Sequence, residues 1–115
     1  MTTEPAAEPT PRVARVADRD RYEIRLGDEL VGFAEYRDHD GQRVFHHTEI
    51  ADAFGGRGLA ATLVTAALND TREAGLRIVP VCPYVAKYLR KHDEFTDITD
   101  PVDREVLGWL KETLG

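Results

Sequence analysis

Phe54-Gly55-Gly56-Arg57-Gly58-Leu59-Ala60 is the stretch whose reading decides the fold. It follows residues that pattern as a strand, Arg43 to Ile50, and precedes Leu59, Leu63 and Ala67, which recur at helical spacing with Ala60, Val64 and Leu68 beside them. Asn69, Asp70, Arg72 and Glu73 supply the polar side of that helix, and Gly75 closes it. Three glycines let main-chain amides come close to a ligand, and the first turn of a helix adds unsatisfied amides and the positive end of a dipole. The combination suits a pyrophosphate. A tight turn alone would use the same residue types, so the position between strand and helix carries more weight than the glycines themselves.

Working outward toward the N-terminus, Tyr22, Ile24 and Leu26 alternate with Glu23 and Arg25, the period of a half-buried strand. Gly27-Asp28 is a two-residue hairpin turn, Leu30 to Arg37 the returning strand, and Asp38 to Gly41, centred on Asp40-Gly41, the next turn. An antiparallel meander results. Toward the C-terminus, Leu76 to Cys82 predicts a buried strand, and Pro83 suits the first turn of a helix with Val85, Tyr88, Leu89 and His92 on one face. Asp100 is expected to cap a last helix opened by Pro101, with Val102, Val106, Trp109 and Leu110 as its apolar side. The order describes an α+β domain. Residues 1–11, rich in Pro, Ala, Thr and Glu, read as a flexible tail, 12–99 as the domain, and 100–115 as a helix packed on it.

A chain of 115 residues with 42% hydrophobic content supports one core. No apolar run approaches the roughly 20 residues that cross a bilayer, and Met1 to Pro11 has no signal-peptide pattern, so a cytoplasmic location is expected, with no membrane partner. The net charge of −6 and the lack of a basic stripe argue against nucleic acid. Cys82, the single cysteine, has no internal disulfide partner. His46 and His47 should point to opposite faces of a strand, so no metal-ligand spacing emerges and no metal is expected. His92 reads as a packed or hydrogen-bonded side chain.

The succession of strand, Arg/Gln-x-x-Gly-x-Gly/Ala, helix rich in Ala and Leu, and strand resembles the acetyl-CoA motif of the GNAT acetyltransferase superfamily. Gly58 and Ala60 match its last two fixed positions, while the first, normally Arg or Gln, falls on Gly55. Main-chain amides remain, so binding is expected to survive that departure. His47-Thr48-Glu49, Leu76 to Tyr84 and Tyr88 to Phe95 look like the minimal single-domain members, and the resemblance runs from about Tyr22 to Asp97.

It implies that the strand before the loop and the strand after the helix splay apart around the pantetheine arm of acetyl-CoA. Thr48, Glu49 and Ile50 would then offer backbone groups to the arm, and Gly55, Gly56, Arg57, Gly58, Leu59 and Ala60 would hold the pyrophosphate. Tyr84, Lys87, Tyr88 and Lys91 become candidate contacts on the second helix. For chemistry, Glu49 is a candidate base acting through a water, Tyr88 a candidate acid, and Cys82 a nucleophile, a proton donor or a packed thiol. The implied activity is N-acetyl transfer from acetyl-CoA to a small-molecule or peptide amine, the acidic surface favouring a cationic acceptor such as a polyamine or a lysine side chain. The alternative is a non-catalytic acyl-CoA-binding or protein-interaction module. Larger members carry helices between their first two strands that help form the acceptor site. Here little more than a turn separates Arg12 to Ala17 from Tyr22, so that site is expected to be open, shared or vestigial. The last helix is expected to cover its own sheet, with a dimer contact as the alternative, giving a monomer or homodimer.

Overall fold

A computed structural model describes residues 10–115; residues 1–9, most of the expected tail, lie outside the described residues. The chain forms β1 (Pro11–Val16), β2 (Arg21–Leu26), β3 (Glu29–His39), β4 (Gln42–Ile50), α1 (Leu59–Glu73), β5 (Arg77–Pro80), α2 (Pro83–Lys91) and α3 (Arg104–Leu114). Short 3₁₀ turns at Ala17–Arg19, Asp52–Phe54 and Asp93–Ile98 join them. One five-stranded sheet runs in the order β1-β2-β3-β4-β5, antiparallel throughout except for the parallel β4–β5 pair. The α+β reading and its meander hold. At the β3–β4 turn Asp40 and Gly41 both take positive φ, 50° and 75°, the backbone a two-residue hairpin with right-handed strand twist demands.

Alternation along the strands divides the core into two layers. On one face Tyr22, Ile24, Ala34, Tyr36 and Phe45 pack under Leu59, Leu63, Val64, Ala67 and Leu68 of α1 and Val85 and Tyr88 of α2. On the other, Val44 and Val79 are covered by Val106 and Leu110 of α3. Trp109 completes that cover by stacking on His39, ring centroids 4.2 Å apart. Among the described residues no helix is long and apolar enough to cross a membrane.

The start of α3 differs from the sequence reading. Its cap is Asp103, whose side chain accepts from the Val106 amide at 2.8 Å, and Val102 is exposed. Asp100 has another task. Its amide donates to Ile78 O at 2.8 Å, and its carboxylate accepts from Gln42 Nε2 at 2.8 Å and from Arg77 Nε at 2.8 and 3.0 Å. Asp100 therefore ties β4, β5 and the segment before α3 together, a partnership between distant residues that a local capping rule does not see. Burial by itself raises the Asp100 carboxyl, but the Gln42 amide and the Arg77 guanidinium outweigh it and hold it below the usual carboxylate range.

A carboxylate whose folded-state pKa is depressed contributes stability at neutral pH that is lost as pH falls through the carboxylate range. Asp100→Ala is accordingly expected to cost about 1–2 kcal/mol at neutral pH, discounted for the exposed Arg77, with the cost shrinking in acid. Asp103→Ala should cost about 1 kcal/mol, confined to α3. Urea unfolding of both variants at neutral and acid pH, read by circular dichroism, checks the contrast.

Candidate active site

The β4–β5 ladder is short because β5 turns back on itself at Val81. Pairing runs from Gln42↔Arg77 to Phe45↔Pro80 and stops there. Arg77 N donates to Gly41 O, so the amides of Arg77, Val79 and Val81 are those in line with β4; Val81 N turns back to Val79 O at 3.2 Å, and the last bond between the two segments comes from the Cys82 amide to Phe45 O at 2.8 Å. Pro83 then opens α2, and the chain turns away while β4 continues to Ile50. The predicted strand to Cys82 thus ends two residues early, at Pro80.

A bulge widens the gap. β3 and β4 pair Glu35↔His47 but Tyr36↔Phe45, leaving His46 as an extra residue in β4. Between His46, His47 and Thr48 on one side and Cys82, Tyr84 and Lys87 on the other lies a groove of about 420 Å³.

At one end of β4 the backbone builds a cradle. Phe54 N bonds Ala51 O at 2.9 Å and Gly55 N bonds Asp52 O at 3.2 Å, bending the chain toward α1. Gly56 and Gly58 have φ of 78° and 74°, where an L side chain is strained, and nothing lies within 4 Å of where their Cβ atoms would stand. Glycine is needed there for backbone shape, and the space in front is open. Gly58 caps α1 without a side-chain bond. The first intrahelical bond runs from Thr62 N to Gly58 O, so the amides of Leu59, Ala60 and Ala61 have no carbonyl a turn earlier to bond. Together with the positive dipole end of a fifteen-residue helix, they are donors of the kind that suits an anion. The Arg57 guanidinium lies 5.4 Å over the Phe54 ring.

The structure brings together Thr48, Cys82, Tyr84 and Lys87 in the groove, while Gly55 to Ala60 form the turn and helix start beyond the end of β4 and do not line it. Cys82 is buried at 3% exposure, and its thiol donates to Thr48 Oγ1 at 3.4 Å across the opening. The side chain of Ile50 packs on the core over Gly32, leaving its backbone for other use. Glu49 faces away from Thr48, as alternation requires, with Oε1 3.4 Å from His47 Nε2. Tyr88 is buried between helices, its hydroxyl 2.6 Å from Thr65 Oγ1 of α1 and its ring stacked on His92 at 4.0 Å. It does not line the groove, and neither does the exposed Lys91.

The histidines are what the sequence reading missed. Strict alternation sends His46 and His47 to opposite faces, yet the bulge lets both line the groove. His46 is half-buried, and burial pushes its imidazole below the ordinary histidine range. The spacing His47-x-Glu49, which places both on one strand face, was the available signal.

Comparison with known proteins bears on the family and the fold. The family model described as GCN5-related N-acetyl-transferase matches residues 21–98. Protein NATD1 of Mus musculus is 35% identical over 86 residues, spanning 70% of this chain and 76% of its own length; protein NATD1 of Homo sapiens is equally identical, with 70% and 74% covered. A GCN5-like protein of Staphylococcus aureus, solved by NMR, superposes with a TM-score of 0.61 over 81% of this chain and 91% of its own, at 22% identity, a likeness of fold.

The backbone distinguishes the three glycines in a testable way. Gly55 sits at φ −65°, ψ 152°, extended geometry open to any residue, with only an ordinary 3.5 Å contact for a Cβ. Gly55→Gln is expected to leave stability within about 0.5 kcal/mol, while Gly58→Ala loses about 1–2 kcal/mol to left-handed strain. Urea denaturation midpoints of the two variants decide it.

Proposed function

Because this chain belongs to the GCN5-related N-acetyltransferase family, we propose that it binds acetyl-coenzyme A and transfers the acetyl group to an amine. The observation that carries the reading is the parting of β4 from β5, which leaves a groove along the strand that runs on into the glycine turn and the start of α1. In this reading the diphosphate rests on the amides from Gly56 to Ala60, where the open space in front of Gly56 and Gly58 fits a bulky anion. The pantetheine arm lies along β4 past Thr48, with Tyr84 and Lys87 of α2 closing the other side. In the same reading the thioester comes beside Cys82, and the thiol, 3.4 Å from Thr48 Oγ1, is the proton donor assigned to the departing sulfur. Tyr88, the other candidate acid, has its hydroxyl engaged by Thr65 inside the helix interface.

A second reading, a module that binds acyl-CoA without turnover, draws on that engaged tyrosine and on the missing side chain at Gly55. The two differ in outcome. Titration calorimetry with coenzyme A should show binding, and incubation with acetyl-CoA and amines should release free thiol above the hydrolytic background. Cys82→Ala is expected to lower the transfer rate at least tenfold, about 1.4 kcal/mol of barrier, with coenzyme A affinity retained. Tyr88→Phe should instead cost about 1 kcal/mol of stability with little change in rate. Binding without thiol release would favour the module, and absence of binding heat would remove both readings.

A further inference from the structure

A second pocket, about 370 Å³, lies on the sheet face opposite α1 and is lined by Arg19, Asp20, Glu35, Arg37, His46 and His47. It shares His46 and His47 with the groove, so the two cavities meet across the bulge of β4. His47 is half-exposed there, its ring 6.0 Å from Phe33 and its Nε2 3.4 Å from Glu49 Oε1. A carboxylate beside Nε2 favours the tautomer with the proton on that nitrogen, which leaves Nδ1 free to accept one. Glu35 is the register partner of His47 on β3, and among the described residues no ion pair engages it. Arg37 Nη1 donates to Asp20 Oδ2, while Arg37 Nε is buried without a hydrogen-bond partner among the described residues. The pocket thus holds, beside the Arg19 and Arg37 guanidiniums, one carboxylate, Glu35, that no ion pair among the described residues engages, next to the imidazole that Glu49 orients.

We propose that this second pocket receives the acceptor as a primary alkylammonium, that Glu35 holds its charge, and that His47 is the catalytic base, with Glu49 as its positioning residue. The inference rests on the acetyl-transfer reading above. His47 Nδ1 takes one proton from the ammonium, giving imidazolium and a neutral amine. The amine lone pair forms the C–N bond at the thioester carbon of acetyl-CoA, the C–S bond breaks with its pair going to sulfur, and the second nitrogen proton ends on the leaving thiolate. The products are the N-acetylamine and coenzyme A thiol, and the imidazolium returns its proton to water.

The experiment uses the full chain, with coenzyme A calorimetry run beside a thiol-release assay on putrescine and on a lysine-containing peptide. His47→Ala is expected to lower kcat at least 100-fold with coenzyme A affinity unchanged, and added imidazole to restore part of the rate. Glu49→Gln should lower kcat about tenfold without moving the KM for acetyl-CoA, and Glu35→Gln should raise the acceptor KM about tenfold. Turnover of the diamine alone identifies a small polyamine source and turnover of the peptide alone a protein lysine, both consistent with the assignment. Folded His47→Ala retaining activity within threefold of the unmodified chain overturns it, as does coenzyme A binding with no thiol release from either amine. Absence of coenzyme A binding overturns the acetyl-transfer reading itself.

Discussion

The geometry on which everything else depends is a hydrogen-bond ladder that stops. A parallel β4–β5 pair would continue if the Val81 amide donated to β4, but that amide bonds Val79 O at 3.2 Å, just beyond Pro80. Phe45 O takes the Cys82 amide instead, and three residues after Pro80 a second proline starts a helix. Residues 46–50 of β4 are left without a strand partner on that edge. Unpaired main chain costs about 1–3 kcal/mol per group when it is buried, so such an edge persists only where solvent or a ligand reaches it. The groove provides that access, and an extended pantetheine-like chain with amide groups is the kind of molecule that replaces a missing strand.

An edge left open in this way must be held from its other side. β4 stays paired with β3 up to Gly32↔Ile50, and just before the bulge it is fastened by Arg43. That side chain is 4% exposed, bonds Asp38 at 2.7 and 2.8 Å and Tyr22 Oη at 2.6 Å, and lies 4.4 Å over the Tyr36 ring. Tyr22 in turn donates to Asp70 of α1 at 2.7 Å. Burial lowers the Arg43 affinity for its proton, but Asp38 and Tyr22 more than offset it, so the guanidinium stays charged. Burial, reinforced by Asp70, keeps the Tyr22 hydroxyl protonated. A satisfied charge in the core links β2, β3, β4 and α1 in one arrangement, and it is the helix thus fixed whose first turn forms the cradle.

What was legible in the sequence was whatever local rules govern. Asp40-Gly41, the alternation from Tyr22 to Leu26, the helical spacing after Gly58 and Pro83 at the start of α2 each report a preference of neighbouring residues, and each appears in the fold. The glycine cradle was legible for the same reason. What was not legible depends on partners far along the chain. Asp100 looks like a cap and serves as a clamp on Gln42 and Arg77. Tyr88 looks like an acid on a helix face, but Thr65, 23 residues earlier, occupies its hydroxyl. The bulge at His46 arises from a register change between β3 and β4, which no period-two count over β4 alone reveals.

The bulge also bears on how so short a chain closes a second pocket. Larger relatives are expected to build that side from helices between their first two strands, and here only the Ala17–Arg19 turn occupies the place. The missing wall comes from the far end of the chain. Leu114, at the end of α3, lines the same pocket as Arg19 and Asp20, and α3 is held there by Val106 and Leu110 on Val44 and Val79. Burying those two α3 side chains is worth roughly 1.5–3 kcal/mol each, enough to keep a short helix seated. A helix outside the matched residues 21–98 thus takes part in shaping the pocket. The shape of that pocket then depends on α3 staying docked, and Asp100, which fastens the segment leading into it, links it to the stability of the sheet edge.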